Sequence, residues 1–220
     1  MDKLRLRFEK TGRAIYISHL DLMHTMQRAF SRAEYELKYS EGFNPHPQIS
    51  IALPLSVGMA SRCEIMDFKL KTDADLSQLP QRLTDALPEG IRVLEAYEAE
   101  RKVNQLKWLQ VEGVFIYDNG TAKKMCEELE RFFAADEIII TKKTKRGVGQ
   151  TDIKPGVREI RLEAADEEQV KLYALLSAQE PTINPELLPE SLRQLAPALA
   201  PDFAKFTRLE TLDADRTVFR

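Results

Sequence analysis

Residues 4–33 read Leu4-Arg-Leu-Arg-Phe-Glu-Lys-Thr-Gly-Arg-Ala-Ile-Tyr-Ile-Ser-His-Leu-Asp-Leu-Met-His-Thr-Met-Gln-Arg-Ala-Phe-Ser-Arg-Ala33. Up to Glu9 the chain alternates, with Leu4, Leu6 and Phe8 set against Arg5, Arg7 and Glu9. That period of two gives a strand one face for a core. Thr11-Gly12 turns the chain, and beyond Ser18 the period lengthens: Leu22, Met26, Ala29, Phe30 and Ala33 recur at helical spacing, while His24, Arg28, Ser31 and Arg32 fall on the other side. Ser18 followed three residues later by Asp21 is a helix start, in which the serine oxygen accepts from an unpaired amide of the first turn. A strand is therefore followed by a helix over about residues 19–33, apolar on one side and basic on the other.

The same reading extends outward. Apolar segments at 49–57 and 64–70 are two strands turning around 58–62; the spacing of Leu76, Leu79, Leu83 and Leu87 predicts a helix that Pro88-Glu-Gly90 ends; a strand follows at 91–97. The order β-α-β-β-α-β within about a hundred residues predicts a ferredoxin-like sandwich. After the charged connection 98–107 the pattern restarts, with strands at 108–117, 138–141, 157–162 and 204–212 and helices at 121–133, 167–177 and 186–195. The prediction is an α+β protein of tandem ferredoxin-like units with antiparallel sheets, residues 1–103 and 104–220, the second decorated by a basic loop at 142–149.

The 220 residues suit two domains, and 43% hydrophobic content with 9 glycines and 11 prolines excludes disordered and collagen-like classes. The longest apolar stretch, residues 49–60, is broken by Pro54 and is too short to span a bilayer. The alternating amino terminus is unlike a signal peptide, so a cytoplasmic location is expected. Cys63 and Cys126 read as free buried thiols. Together with His19, His24 and His46 they form no metal-binding motif, so neither a metal nor a cofactor is expected in this chain.

Net charge is −3, unevenly spread. Lys142, Lys143, Lys145, Arg146, Lys154, Arg158 and Arg161 face only Asp152 and Glu159, a local excess of about five positive charges, which the acidic stretch after Glu163 cancels. Lysines on a glycine-bearing hairpin can follow a phosphate backbone, although solvated lysine loops look the same. In the loop Gly42-Phe-Asn-Pro-His-Pro47, Pro45 and Pro47 restrict Asn44 and His46, so that the imidazole is presented from a stiff loop. His46 there is a candidate base-stacking, phosphate-binding or acid–base residue. The bland alternative has Phe43 plugged into the core and His46 bonded to nearby backbone. On the first helix His24, Arg28 and Arg32 make an i, i+4, i+8 row suited to phosphates or to an acidic partner, and equally to plain solvation. No phosphate-binding loop, dinucleotide fingerprint or serine-hydrolase motif is visible.

The segments Lys10-Thr-Gly-Arg-Ala-Ile-Tyr-Ile-Ser-His-Leu-Asp21, Arg28-Ala-Phe-Ser-Arg-Ala33 and Tyr39-Ser-Glu-Gly-Phe-Asn-Pro-His-Pro-Gln-Ile-Ser50 resemble the radical SAM-linked protein family, an uncharacterised bacterial domain fused to or encoded beside a B12-binding radical SAM protein. In the second half Asp152-Ile-Lys-Pro155 resembles that family's D-(I/L)-(R/K)-P segment, with lysine in place of the commoner arginine. The resemblance implies that radical chemistry belongs to a partner polypeptide and that this chain is an accessory. Tandem ferredoxin-like units are also similar to CRISPR repeat-cleaving endoribonucleases, an analogy of fold alone. The leading expectation is a non-catalytic, substrate-presenting module that binds RNA or its partner through Arg28, Arg32, Asn44, His46, Lys142, Lys143, Lys145 and Arg146. An alternative is a metal-independent endoribonuclease, with His24 or His46 as general base and Lys143 or Arg146 stabilising the pentacovalent phosphate. A third is a scaffold that binds only the radical SAM protein.

Overall fold

The structure, a computed structural model, describes residues 3–144 and 147–220. The chain divides into two compact units, residues 1–103 with Arg220, and residues 104–219.

In the first unit β1 (Leu4–Lys10), α1 (His19–Arg32), β2 (Ile49–Ile51), β3 (Ala60–Phe68), α2 (Leu79–Ala86) and β4 (Ile91–Glu98) follow one another. β1 pairs with β4 on one side and β3 on the other, β3 also pairs with β2, and every pairing is antiparallel. The alternation of β1 translates directly: Leu4, Leu6 and Phe8 are buried with Leu22, Met26, Ala29 and Phe30 of α1, Leu79 and Leu83 of α2, and Phe68 of β3, whose ring centroid lies 5.0 Å from that of Phe30. On the reverse face the buried Arg5 donates through Nε to Asp67 Oδ1 at 2.7 Å and through Nη2 to the Arg101 carbonyl at 3.0 Å. The stretch 49–57 contributes only the short β2, since Pro54 has no N–H to give a ladder.

The second unit repeats the order. β5 (Trp108–Ile116), α3 (Ala122–Phe133), β8 (Val157–Ala164), β9 (Gln169–Ser177), α4 (Leu187–Leu195) and β10 (Phe203–Leu212) form the repeat, and β6 (Ile139–Thr144) with β7 (Gly147–Asp152) stands between α3 and β8 as a separate two-stranded hairpin. The main strands pair β10–β5–β9–β8, all antiparallel. Residues 167–177, expected to be helical, are corrected to a strand: Val170, Leu172, Ala174 and Leu176 are all buried, a period of two that sends one face inward between β5 and β8. The protein is thus α+β, with four α-helices among the described residues and antiparallel sheets. Among those residues no helix is long and apolar enough to cross a membrane.

The start of α1 is capped as its sequence predicts. Ser18 Oγ accepts from the Asp21 amide at 3.2 Å and donates to Asp21 Oδ2 at 2.6 Å. Ser18→Ala should lower the unfolding free energy by about 1 kcal/mol in denaturant titrations, and Ser18→Asn should restore most of it.

Candidate functional site

The exposed side of α1 carries His24, Arg28 and Arg32 in one row, all three in solvent. Their arginines are not equivalent. Arg32, in the last turn of α1, donates through Nε (3.1 Å) and Nη2 to the Ala86 carbonyl at the end of α2. Arg82 of α2 donates in return to the Ala33 carbonyl at the end of α1 at 2.7 Å, reaches Glu34 at 3.4 Å and lies 4.8 Å from the centroid of the Tyr35 ring. Each helix therefore sends a guanidinium to the carbonyl end of the other, where the backbone dipole is negative. Arg28, one turn before Arg32, forms no hydrogen bond or ion pair with the described residues, and it lines two open clefts of about 750 Å³ each. One runs past Thr25, Arg82 and Asp85; the other past Gln27, Tyr35 and Lys71. The row read from the sequence thus resolves into one available cation and one committed to structure. Arg82 carried no sequence signal, because its partner lies 49 residues away.

Beyond α1 the chain forms a narrow pair of extended segments closed by the loop 40–46. Tyr39 bridges Pro47, the Ser40 amide donates to the His46 carbonyl at 2.9 Å, and the His46 amide donates to Ser40 Oγ at 3.1 Å. His46 Nδ1 lies 3.0 Å from the same hydroxyl and 3.4 Å from the Asn44 carbonyl oxygen. Ser40 Oγ can donate to an unprotonated Nδ1 and the Asn44 carbonyl can accept from a protonated one, so both ring tautomers find a partner there. Phe43 is not plugged into the core: it is fully exposed, because the hydrogen bonds at Ser40 and His46 close the loop below it and Gly42, at φ +122°, turns the tip outward. Asn44 and His46 are exposed on the same loop. His46 edges a shallow 250 Å³ pocket with Lys3, Gln48, Asp67 and Lys69, whereas His24 lines neither that pocket nor the two arginine clefts. The two histidines are not brought into one site.

The basic segment of the second unit lies on a β-hairpin, with Lys142 opposite Gly149 and Lys143 opposite Val148. Lys142 is exposed; Lys145 and Arg146 lie outside the described residues. Gln194 of α4 holds the base, its Oε1 accepting from the Thr141 amide at 2.7 Å and its Nε2 donating to the Thr141 carbonyl at 3.0 Å. Asp152 Oδ1 accepts from the amides of Ile138 (2.9 Å) and Lys154 (3.0 Å). Elsewhere burial lowers the pKa of Lys10, whose Nζ donates to the Ile17 carbonyl at 2.9 Å and so ties down the chain just before α1. Burial, and then Glu130, pushes the half-buried Cys126 thiol upward, away from the thiolate that a nucleophile needs.

Residues 3–185 match the family described as an uncharacterized protein conserved in bacteria (DUF2344), and the chain belongs to that family. No curated protein matches it. Among solved structures it is similar to an unknown protein from Galdieria sulphuraria (10% identity, 93% of this chain and 95% of that one, TM-score 0.27). It is also similar to a protein provisionally called a glycine cleavage system transcriptional repressor (11% identity, 94% and 97%, TM-score 0.26). At such scores neither likeness bears on function.

The unequal arginines separate by stability. In denaturant titrations Arg28→Ala should leave the unfolding free energy within about 0.5 kcal/mol of the parent, whereas Arg82→Ala, which strips the end of α1 and the Tyr35 contact, should cost about 1 kcal/mol or more.

Proposed function

We propose that this chain is a binding module that holds RNA and presents it to a radical SAM partner, with no covalent chemistry of its own. The observation that carries the reading is the state of Arg28: an exposed guanidinium, unengaged among the described residues, at the junction of two open clefts, beside two arginines fixed by backbone carbonyls. A fork of donors left free in this way suits a phosphate, which it can grip through two parallel hydrogen bonds. In the second unit Lys142 offers a further cation from a hairpin held at its base by Gln194. The identity of the partner rests on the resemblance of the segments 10–21, 28–33 and 39–50 to radical SAM-linked proteins.

The endoribonuclease alternative has less support. It asks a histidine to take a proton beside cations that stabilise the phosphate, yet His24 lines neither arginine cleft, and the lysines that share a pocket with His46, Lys3 and Lys69, flank Asp67, to which Lys3 is bonded at 2.5 Å.

Binding of a fluorescent single-stranded RNA at several salt concentrations tests the proposal. The parent should bind with an affinity that falls linearly, log on log, with salt; Arg28→Ala and Lys142→Ala should each flatten that slope by about 0.7. Binding that ignores salt, or none at all, overturns the RNA reading. Cleavage to a 2′,3′-cyclic phosphate that disappears with His24→Ala or His46→Ala would put the enzyme in its place.

A further inference from the structure

The loop that closes on Ser40 and His46 ends in a tip that buries nothing. Residues 41–46 are all exposed; Phe43 stands at 110% of its reference area, and Tyr39 at 48%. The other phenylalanines of this unit, Phe8, Phe30 and Phe68, are buried, as the transfer free energy of a benzyl group dictates. The tip is not a slack segment that has failed to find the core. Its base is held by the reciprocal bonds between Ser40 and His46, and by Gln48 Nε2, which donates to the Tyr39 carbonyl at 3.2 Å. Pro45 and Pro47 remove two backbone rotations, and Gly42 takes the positive φ that the turn requires. Where a large apolar side chain is held in water by an ordered loop, the entropy of presenting it is already spent, and any surface that covers it gains the full burial.

We propose that Phe43 is a docking anchor that inserts into an apolar pocket on a partner protein, with Tyr39 and His46 at the rim of the contact. Large aromatic side chains seated in pockets of the partner dominate protein interfaces. Charge decides between a protein and a nucleic acid. The ionised side chain of the tip is Glu41, a carboxylate two residues from the anchor, which repels a phosphate backbone and complements a basic group at the mouth of a protein pocket. Lys3 and Lys69, which share a pocket with His46, flank Asp67, to which Lys3 is bonded at 2.5 Å, and one cleft of Arg28 reaches Tyr39 while neither reaches Phe43. The inference goes beyond the RNA-module reading, since it requires neither RNA nor a radical enzyme.

A photo-reactive p-benzoylphenylalanine placed at position 43 of the full chain, in cells, tests it, with the same group at the exposed Val57 as control. Position 43 should yield one adduct with a distinct polypeptide that position 57 does not. That polypeptide, purified, should bind the parent chain, with Phe43→Ala weakening the complex about thirtyfold or more and Phe43→Leu weakening it less. Melting curves of both variants should match the parent. Adducts to RNA or to a second copy of this chain, no adduct, unchanged affinity of Phe43→Ala, or a lowered melting temperature would each overturn the proposal. None of these outcomes depends on the salt dependence measured at Arg28.

Discussion

The packing of three β1 side chains, Leu4, Leu6 and Phe8, against the inner stripe of α1 underlies everything the first unit presents to solvent. Once Leu22, Met26, Ala29 and Phe30 face that row, the helix has no rotational freedom, and at about 100° per residue His24, Arg28 and Arg32 must stand on the far side. Capping at Ser18 sets where the helix begins, and the exchange of guanidinium groups between the ends of α1 and α2 holds the second helix at the same sheet face. Burying Leu22, Met26 or Phe30 fixes the direction of a charge two positions away, about 200° around the helix.

That exchange also sorts the arginines by what remains for a ligand. A guanidinium that satisfies carbonyl oxygens at a helix end is part of the fold, and taking it for a phosphate contact would reopen the end it closes. Arg28 carries no such obligation among the described residues. An isolated cation has weak affinity by itself, which suits a module that gathers phosphate contacts one at a time and releases them as salt rises.

The strand and helix of residues 4–33 were legible because two periodicities abut there with a capping serine between them. Over residues 167–177 two periodicities overlap, since Leu172, Leu175 and Leu176 satisfy a helical spacing while Val170, Leu172, Ala174 and Leu176 satisfy the alternation that the neighbouring strands select. Apolar content alone placed Phe43 inside; the bonds between Ser40 and His46 that hold it outside involve a hydroxyl and main-chain atoms, which leave no mark in a hydropathy pattern. Arg82 and Gln194 act on carbonyls and amides 49 and 53 residues away, and contacts at that range are set by the packing of elements. In the loop 42–47 the two prolines drew the reading to His46, while the side chain presented most fully is the phenylalanine.

The amide of Gln194 stands where a neighbouring strand would otherwise put its peptide group, giving and taking one hydrogen bond at Thr141. The hairpin edge is thereby closed at its root by a single side chain, and a stray strand from another molecule meets a position already filled. This makes the spelling of α4 part of the grammar of the hairpin. A one-residue insertion between Pro185 and Gln194 would turn the carboxamide about 100° around the helix and unlatch the edge, although neither the hydrophobicity of α4 nor the sequence of the hairpin had changed.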